Sequence, residues 1–377
     1  MTTPDTTHAT VSTDTTASTG TAVSQGTTAS TGPAHPAHPT PLPEPGHTKD
    51  WTGRTVLVTG AEGFIGSALV DLLVRAGARV RAFTHYKPYA DRGHLARHLK
   101  RDSPVEMFTG DVRDPGRVSD AVKGCDTVFH LAALIGIPYS YESPGAYVRT
   151  NVVGTENIAE ACRRHDVRRL VQTSTSEVYG TAVTVPISES HPLQPQSPYS
   201  ASKIGADMTA LSFHHAFGLP ATVVRPFNTY GPRQSARAVI PAILSQLHAG
   251  VKEIRLGSLT PARDFTFVTD TAAGFLAVAE CDRALGHVVN LGSGQEISIG
   301  DLAQALIRAS GRDAEIIVDP DRLRPSGSEV QRLLSDNSRA RDWAGWKPEV
   351  SLEEGLRRTS DWIGGHPRLF APDRYQV

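Results

Sequence analysis

The sequence predicts an α/β protein built on a doubly wound parallel sheet, and three observations predict it. A β-branched apolar run, Val56-Leu57-Val58, enters a turn with glycines at three-residue spacing, Gly60, Gly63 and Gly66, and an amphipathic stretch follows. Short apolar runs then alternate with helix-patterned segments, and repeated βα units bury both faces of a parallel sheet. A Tyr199-x-x-x-Lys203 pair falls on one of the helical segments, where residues four apart share a face.

The chain has 377 residues, and the first 48 are mostly Thr, Ala, Ser, Pro, Gly and His. Such a segment cannot bury enough apolar surface to offset its ordering entropy, so residues 1–48 read as a disordered tail. It lacks a basic start followed by an apolar core and is not expected to be a secretory signal. His35 and His38 suit a loose metal contact or, more simply, a solvated tail. The remainder suits one large α/β domain with a smaller lobe. A dinucleotide-binding domain is expected over residues 49–235, returning at about 265–295. A substrate lobe is expected over 236–264 and 296–365, and a short tail over 366–377.

The glycine turn Thr59-Gly60-Ala61-Glu62-Gly63-Phe64-Ile65-Gly66 ends the first strand. Glycine there permits a tight turn, close backbone approach to a pyrophosphate and close helix–sheet packing. The following helix offers unpaired N–H groups and the positive end of its dipole. Further strands are expected over Ala78–Phe83, Val105–Asp111, Asp126–Ala133, Arg169–Thr175 and Ala221–Pro226. Val289–Gly294 reads as a late strand and turn, and Val153–His165, Tyr199–Phe217 and Ile299–Ala309 as helices. Ligands of such sheets sit beyond the strand C-termini, where Gly60, Asp111, Ala132 and Thr175 all fall.

Charge and cysteine content narrow the function. Net charge is −1 without long blocks of one sign, which gives no support to nucleic acid as a partner. No apolar run is long enough to span a bilayer. Cys125, Cys162 and Cys281 are scattered without metal-ligand spacing, so no metal is expected, and free thiols suit a reducing cytoplasm. At Tyr199, the neighbouring Lys203 ammonium is expected to favour the phenolate. That would pull the tyrosine pKa down from about 10 towards general-base chemistry.

The glycine turn, His130-Leu131-Ala132-Ala133, Thr175-Ser176-Glu177-Val178-Tyr179-Gly180 and the Tyr199/Lys203 pair together resemble the extended short-chain dehydrogenase/reductase family. The resemblance runs from about Arg54 to Ile363 and implies a Rossmann sheet. Within the family the chain is similar to nucleotide-sugar epimerases and dehydratases. Ile135 to Tyr141 and Arg225 to Arg237 look most like bacterial NAD-dependent 4,6-dehydratases of the legionaminic-acid-pathway type.

The resemblance implies a reaction and its residues. Tyr199 takes the proton of the sugar C4 hydroxyl while a hydride passes to NAD, and Lys203 holds the cofactor ribose. Thr175 bonds the C4 oxygen, Glu177 abstracts the C5 proton as water leaves C6, and the hydride returns to C6. Gly60, Gly63, Phe64, Ile65, Gly66, Asp111, Val112, Leu131, Ala132 and Ala133 would line the cofactor, with Tyr199 and Lys203. Asn228, Arg233, Arg263 and Arg324 would meet the nucleotide diphosphate, with Arg322 and Arg332 nearby. Homodimers packed through the Tyr/Lys helix and the helix before it are the family habit.

Two departures matter. Some family dehydratases carry an Asp where this chain has Ser176, the Asp protonating the leaving hydroxyl. GDP-mannose dehydratases share Thr-Ser-Glu, but so do UDP-glucuronate decarboxylases, so the triplet leaves decarboxylation open. A 4-epimerase, a simple reductase and a dinucleotide-sensing regulator are further alternatives. The retained Glu177 argues against the first two, and the intact Thr175, Glu177, Tyr199 and Lys203 against the third. The second departure is at the end of the second strand, Phe83-Thr84-His85-Tyr86-Lys87. The carboxylate expected there for the NAD ribose is missing, and His85 or Lys87 would suit the extra phosphate of NADP. NAD is the expected cofactor and NADP the alternative.

Overall fold

The computed structural model describes residues 50–87 and 93–370, so the sequence read as a disordered tail lies outside the described residues. The first half of the chain alternates strand and helix: β1 (Thr55–Thr59), α1 (Phe64–Arg75), β2 (Arg79–Thr84), β3 (Val105–Thr109), α2 (Pro115–Val122) and β4 (Thr127–His130). Two short helices, α3 (Ile137–Glu142) and α4 (Pro144–Tyr147), run through a π-helical turn at Val148–Val153 into α5 (Gly154–Arg164). Then follow β5 (Arg169–Thr173), α6 (Pro198–Phe217), β6 (Ala221–Pro226), β7 (Asn228–Tyr230), α7 (Val239–His248), β8 (Glu253–Leu256), β9 (Ala262–Phe267) and α8 (Val268–Ala279). The chain closes with β10 (Val288–Leu291), β11 (Glu296–Ser298), α9 (Ile299–Ser310), β12 (Glu315–Val318), α10 (Ser338–Ala344) and α11 (Leu352–Gly365).

Seven strands form one parallel sheet in the order β10-β6-β5-β4-β1-β2-β3. The chain moves outward from β1 through β2 to β3, then resumes on the other side of β1 with β4. That reversal opens a crevice beyond the C-termini of β1 and β4. Alternation along β1 sends Val56 and Val58 into one core with α1 and α8, and Leu57 into another with α2 and α5. Two smaller sheets, β11-β9-β7 and β12-β8, lie outside the main one.

Local chemistry sets the ends that matter. α6 begins with a capping box between Ser197 and Ser200, has Pro198 in its first turn, and stops at Gly218 in the left-handed region. Tyr199 is thereby fixed in the first turn of a long helix. β4 stops at His130, short of the expected Ala133. The amides of Leu131 and Ala132 leave the ladder and donate to Thr59 Oγ1 instead, at 3.1 and 3.0 Å. α5 starts one residue later than expected, because the π-helical turn occupies Val148–Val153. Among the described residues no helix is long and apolar enough to cross a membrane.

Candidate active site

The glycine turn and the end of β4 meet backbone to backbone. Gly60 has φ +66°, and a Cβ on it would stand 2.9 Å from the Ala132 amide nitrogen. A Cβ on Gly66 would overlap the Gly60 carbonyl oxygen. Both positions therefore admit only glycine. Gly63 precedes α1 with extended backbone, and among the described residues no side chain caps it, so the first-turn amides face the crevice.

A cleft of about 790 Å³ occupies the crevice. Its walls include Gly60, Gly63, Phe64, Ile65, Gly66, Asp111, Val112, Leu131, Ala132, Ala133, Thr175, Ser176, Glu177, Tyr199 and Lys203. The expected cofactor set and the expected catalytic set thus share one chamber. A second cleft of about 380 Å³ is lined by Asn228, Arg237, Arg263, Arg322, Arg324 and Glu329. Glu177 and Asn228 line both, so they stand where the two clefts join. Arg237 was missed from sequence; it lies in a polar run after Gly231-Pro232 with no periodicity to mark it.

Tyr199 is buried and packs edge-on against Tyr147, ring centroids 6.2 Å apart. The Thr175 hydroxyl favours the ionised form of the Tyr199 phenol, and Thr175 Oγ1 accepts from the Glu177 amide at 3.2 Å. Ser176 is buried at the start of that turn. The depressed Tyr199 pKa expected from the Lys203 spacing is not found. Burial raises it above the ordinary phenol range, against the pull of Thr175, and the Glu177 charge adds to the rise. Lys203 Nζ is turned instead to the Thr173 carbonyl, at 2.5 Å. Burial lowers the Lys203 pKa to about 8, with Asp207 opposing the fall.

Asp207 is a second residue of the site that sequence reasoning missed. It is fully buried and accepts from Ser174 Oγ at 2.7 Å and from Arg225 Nε and Nη2 at 3.0 and 2.9 Å. Burial opposes charge on Arg225, but Asp207 and Tyr179 together outweigh it and raise the guanidinium pKa. Arg225 lies over the Tyr179 ring, and Tyr179 donates to Asn290 Oδ1 at 2.7 Å. The available signal was spacing: Tyr199, Lys203 and Asp207 recur every four residues on α6.

The arginines divide. Arg263 is buried and donates to Glu329 Oε1 at 3.2 Å, with Arg324 at 3.7 Å from the same oxygen. Arg233 is not brought to the clefts. Its φ is +77°, and its side chain is buried against α1, with Nη1 2.9 Å from Asp71 Oδ2 and 3.1 Å from Ser67 Oγ. Arg97 and His98 converge on the same carboxylate. Two buried guanidinium groups need that counter-charge, which draws Arg233 inward. Arg332 pairs with Glu296 at the surface.

At the far end of the larger cleft, His85 Nε2 is 3.4 Å from Asp111 Oδ2 and Lys87 Nζ is 3.1 Å from Glu62 Oε2. Arg113 grips Asp111 at 2.5 Å and holds its carboxyl down to about 2. Among the described residues no group of three or more His, Cys, Asp or Glu is arranged to hold a metal. Cys125, Cys162 and Cys281 are free and buried, and burial raises the Cys125 thiol to about 11.

Comparison with known proteins gives the site a context. Residues 57–359 match the family model described as GDP-mannose 4,6 dehydratase. A dTDP-glucose 4,6-dehydratase of Streptomyces antibioticus is 36% identical over 320 residues, covering 84% of this chain and 94% of the relative. The crystal structure of a dTDP-glucose 4,6-dehydratase from Streptomyces venezuelae with NAD bound superposes with TM-score 0.78 at 29% identity, covering 85% of this chain and 100% of that one. A UDP-glucuronic acid 4-epimerase from Bacillus cereus, in complex with UDP-glucuronic acid and NAD, superposes with TM-score 0.76 at 29% identity. That match covers 82% of this chain and 98% of the epimerase.

Two predictions follow from the buried charges. Thr59 Oγ1 already accepts from two amides, so its proton goes to His130 Nδ1, 2.7 Å away, and the imidazole is neutral. Burial, reinforced by the Lys203 charge, lowers His130 to about 3. Burial, reinforced by Arg97 and Arg233, lowers His98 to about 4. The native state then binds fewer protons than the unfolded chain below the ordinary histidine pKa of about 6.5. This contribution to stability is complete above that pH and is lost as pH falls towards 4 and then 3, by up to about 1.4 kcal/mol per pH unit for each residue. Urea unfolding at neutral and mildly acid pH reads the slope, and His130→Gln should flatten it; an unchanged slope would exclude His130. Separately, Asp71→Asn should lower the unfolding free energy by about 3–5 kcal/mol, because it leaves Arg97 and Arg233 buried without a counter-charge. Adding Arg233→Met should recover at least part of the loss, and no recovery would separate Arg233 from Asp71.

Proposed function

The chain belongs to the GDP-mannose 4,6-dehydratase family of extended short-chain dehydrogenase/reductases, and we propose that it is an NAD-dependent nucleotide-sugar 4,6-dehydratase. The observation that carries this reading is Glu177. It stands at the junction of the two clefts, its amide bonded to the Thr175 hydroxyl, and lines the same cleft as Thr175 and Tyr199. A carboxylate there suits abstraction of a sugar C5 proton, a step that 4-epimerisation does not need.

The cleft suits the cofactor on physical grounds. Only glycine fits at positions 60 and 66, and the first-turn amides of α1 supply an anion site. In this reading Gly60, Gly63, Phe64, Ile65 and Gly66 hold the pyrophosphate, Asp111 and Val112 flank the adenine, and Leu131, Ala132 and Ala133 wall the nicotinamide end. NAD supplies the temporary hydride acceptor and donor.

The protein supplies the proton transfers. Tyr199 accepts the C4 hydroxyl proton, with Lys203 one helical turn along α6 to steady the phenolate and Thr175 to bond the oxygen. The raised Tyr199 pKa makes that support necessary, because an isolated buried phenol would not ionise near neutrality. The 4-keto group acidifies C5–H, Glu177 removes that proton, and water leaves C6. Ser176 carries no acid, so Glu177 or a water returns the proton to the leaving hydroxyl. Asn228, Arg263 and Arg324 bind the diphosphate, with Arg322 and Arg237 on the same wall.

This reading divides the chain into a dinucleotide domain, 49–235 with 265–295, and a substrate lobe, 236–264 with 296–365. It also takes the chain as a cytoplasmic homodimer. Val148, Val153, Met208 and Phe217 expose apolar side chains along α6 and the helical segment before it, which supports packing of a second copy there. Met208→Glu should convert a dimer to monomer in analytical ultracentrifugation; a wild-type monomer would end the dimer proposal.

The activity is tested by mass spectrometry of UDP-, GDP- and dTDP-sugars incubated with the full chain, without added reductant. Loss of one water from a hexose substrate is expected. Loss of carbon dioxide from a uronate would make the enzyme a decarboxylase, and an isomer of unchanged mass an epimerase. Tyr199→Phe should abolish turnover with the fold intact. Glu177→Gln should lower kcat by about 10²–10⁴-fold and remove solvent deuterium incorporation at C5. Full activity in Glu177→Gln would exclude its role as the C5 base.

A further inference from the structure

The adenosine end of the larger cleft carries an unusual charge arrangement. The end of β2, where a dinucleotide-binding sheet normally offers a carboxylate to the ribose, offers His85 and Lys87 instead. Each of these side chains is met by a carboxylate from a neighbouring loop. Asp111, after β3, lies against His85 and is itself gripped by Arg113. Glu62, inside the glycine turn, lies against Lys87.

The two carboxylates are not equivalent. Asp111 is bound by Arg113 through three side-chain contacts between 2.5 and 3.1 Å, so its charge is locally balanced. Among the described residues Glu62 has one ion-pair partner, Lys87, whose side chain is 41% exposed and whose pairing is correspondingly weak. Glu62 lines the cleft together with Phe83, His85, Asp111 and Arg113, whereas Lys87 is not among the lining residues. The carboxylate is thus at the cleft wall, with the ammonium group 3.1 Å from it.

We propose that Glu62 is the residue that selects NAD over NADP in this chain, replacing the missing β2 carboxylate from within the glycine turn. This deepens the NAD-binding reading and rests on it. A ribose 2′-hydroxyl is a donor that a carboxylate accepts. A 2′-phosphate brings about −1.5 to −2 charges and no donor at neutral pH, so it is repelled by Glu62. Glu62 also detains Lys87, the basic side chain that would otherwise neutralise such a phosphate. One carboxylate thus favours the hydroxyl and withholds the cation, and selectivity no longer depends on the identity of the β2 terminal residue.

The test measures bound cofactor and not turnover. Purified full-length protein, wild type and variants, is equilibrated with an equimolar mixture of NAD and NADP and desalted. The retained dinucleotides are released with acid and separated by chromatography. The wild type is expected to retain mainly NAD. Glu62→Gln should lower the retained NAD:NADP ratio at least about tenfold, equivalent to about 1.4 kcal/mol. Adding Lys87→Glu to Glu62→Gln returns a carboxylate to the β2 end and should restore the NAD preference.

A Glu62→Gln ratio within about twofold of wild type, at full occupancy, would overturn the proposal. Failure of the double variant to restore NAD preference would overturn it too. Loss of both dinucleotides from Glu62→Gln at an unchanged melting temperature would assign Glu62 to loop geometry and likewise overturn selectivity. A wild type that retains mainly NADP overturns the proposal but leaves dinucleotide binding standing. A wild type that retains neither overturns the cofactor reading itself.

Discussion

The contact on which the site depends is the meeting of the β1 turn with the end of β4. Gly60 comes so close to the Ala132 amide that a Cβ has no room. Thr59 then accepts from the amides of Leu131 and Ala132, which would otherwise face the crevice without partners. One threonine and one glycine thereby end β4, turn the chain outward and set the width of the cleft floor. The first turn of α1, aimed at the same space, follows from Gly63 and Gly66. The π-helical turn before α5 extends the arrangement to α6. Its Asn151 accepts from the Leu134 amide and donates to Ser202 on α6, both at 2.9 Å.

Burial, more than proximity, governs the titrating groups. Spacing alone suggests that Lys203 stabilises a Tyr199 phenolate, but desolvation raises the tyrosine and lowers the lysine. The protein answers with Asp207 beneath Lys203, anchored by Ser174 and Arg225. That carboxylate raises the lysine back towards its charged form. Removing Asp207 from this enclosed network would leave Arg225 buried without its partner as well. Helix α6 is thus electrostatically balanced from its buried side, and the cleft side is left for ligands.

The second cleft is built differently. Its arginines come from the loop before α7, from β9 and from the loop after β12, and Glu329 shares two of them, Arg263 and Arg324. Tyr141 Oη and Ser328 Oγ meet at 2.6 Å, and Gln196 donates to the Gly327 carbonyl at 3.2 Å. The loop that carries Glu329 is therefore tied both to α3 and to the approach to α6. Glu177 sees both clefts because it sits on the short turn between β5 and this approach.

The sequence by itself determined the parallel sheet, the glycine turn and the α6 pair Tyr199/Lys203. These are local patterns: a strand run, three glycines in step and a four-residue helical repeat are complete within a few residues of chain. The end of β4 was misread by three residues because its amides bond to Thr59, 72 positions away for Leu131. Only the tertiary structure decided that Arg233 belongs to Asp71 and not to a phosphate, since the choice depends on a carboxylate on α1 and a left-handed backbone turn. Only it decided that Glu62 faces Lys87, that Ser174 and Arg225 converge on Asp207, and that burial reverses the expected shift at Tyr199. Desolvation and long-range pairing are properties of the packed chain, and no spacing rule within one segment contains them.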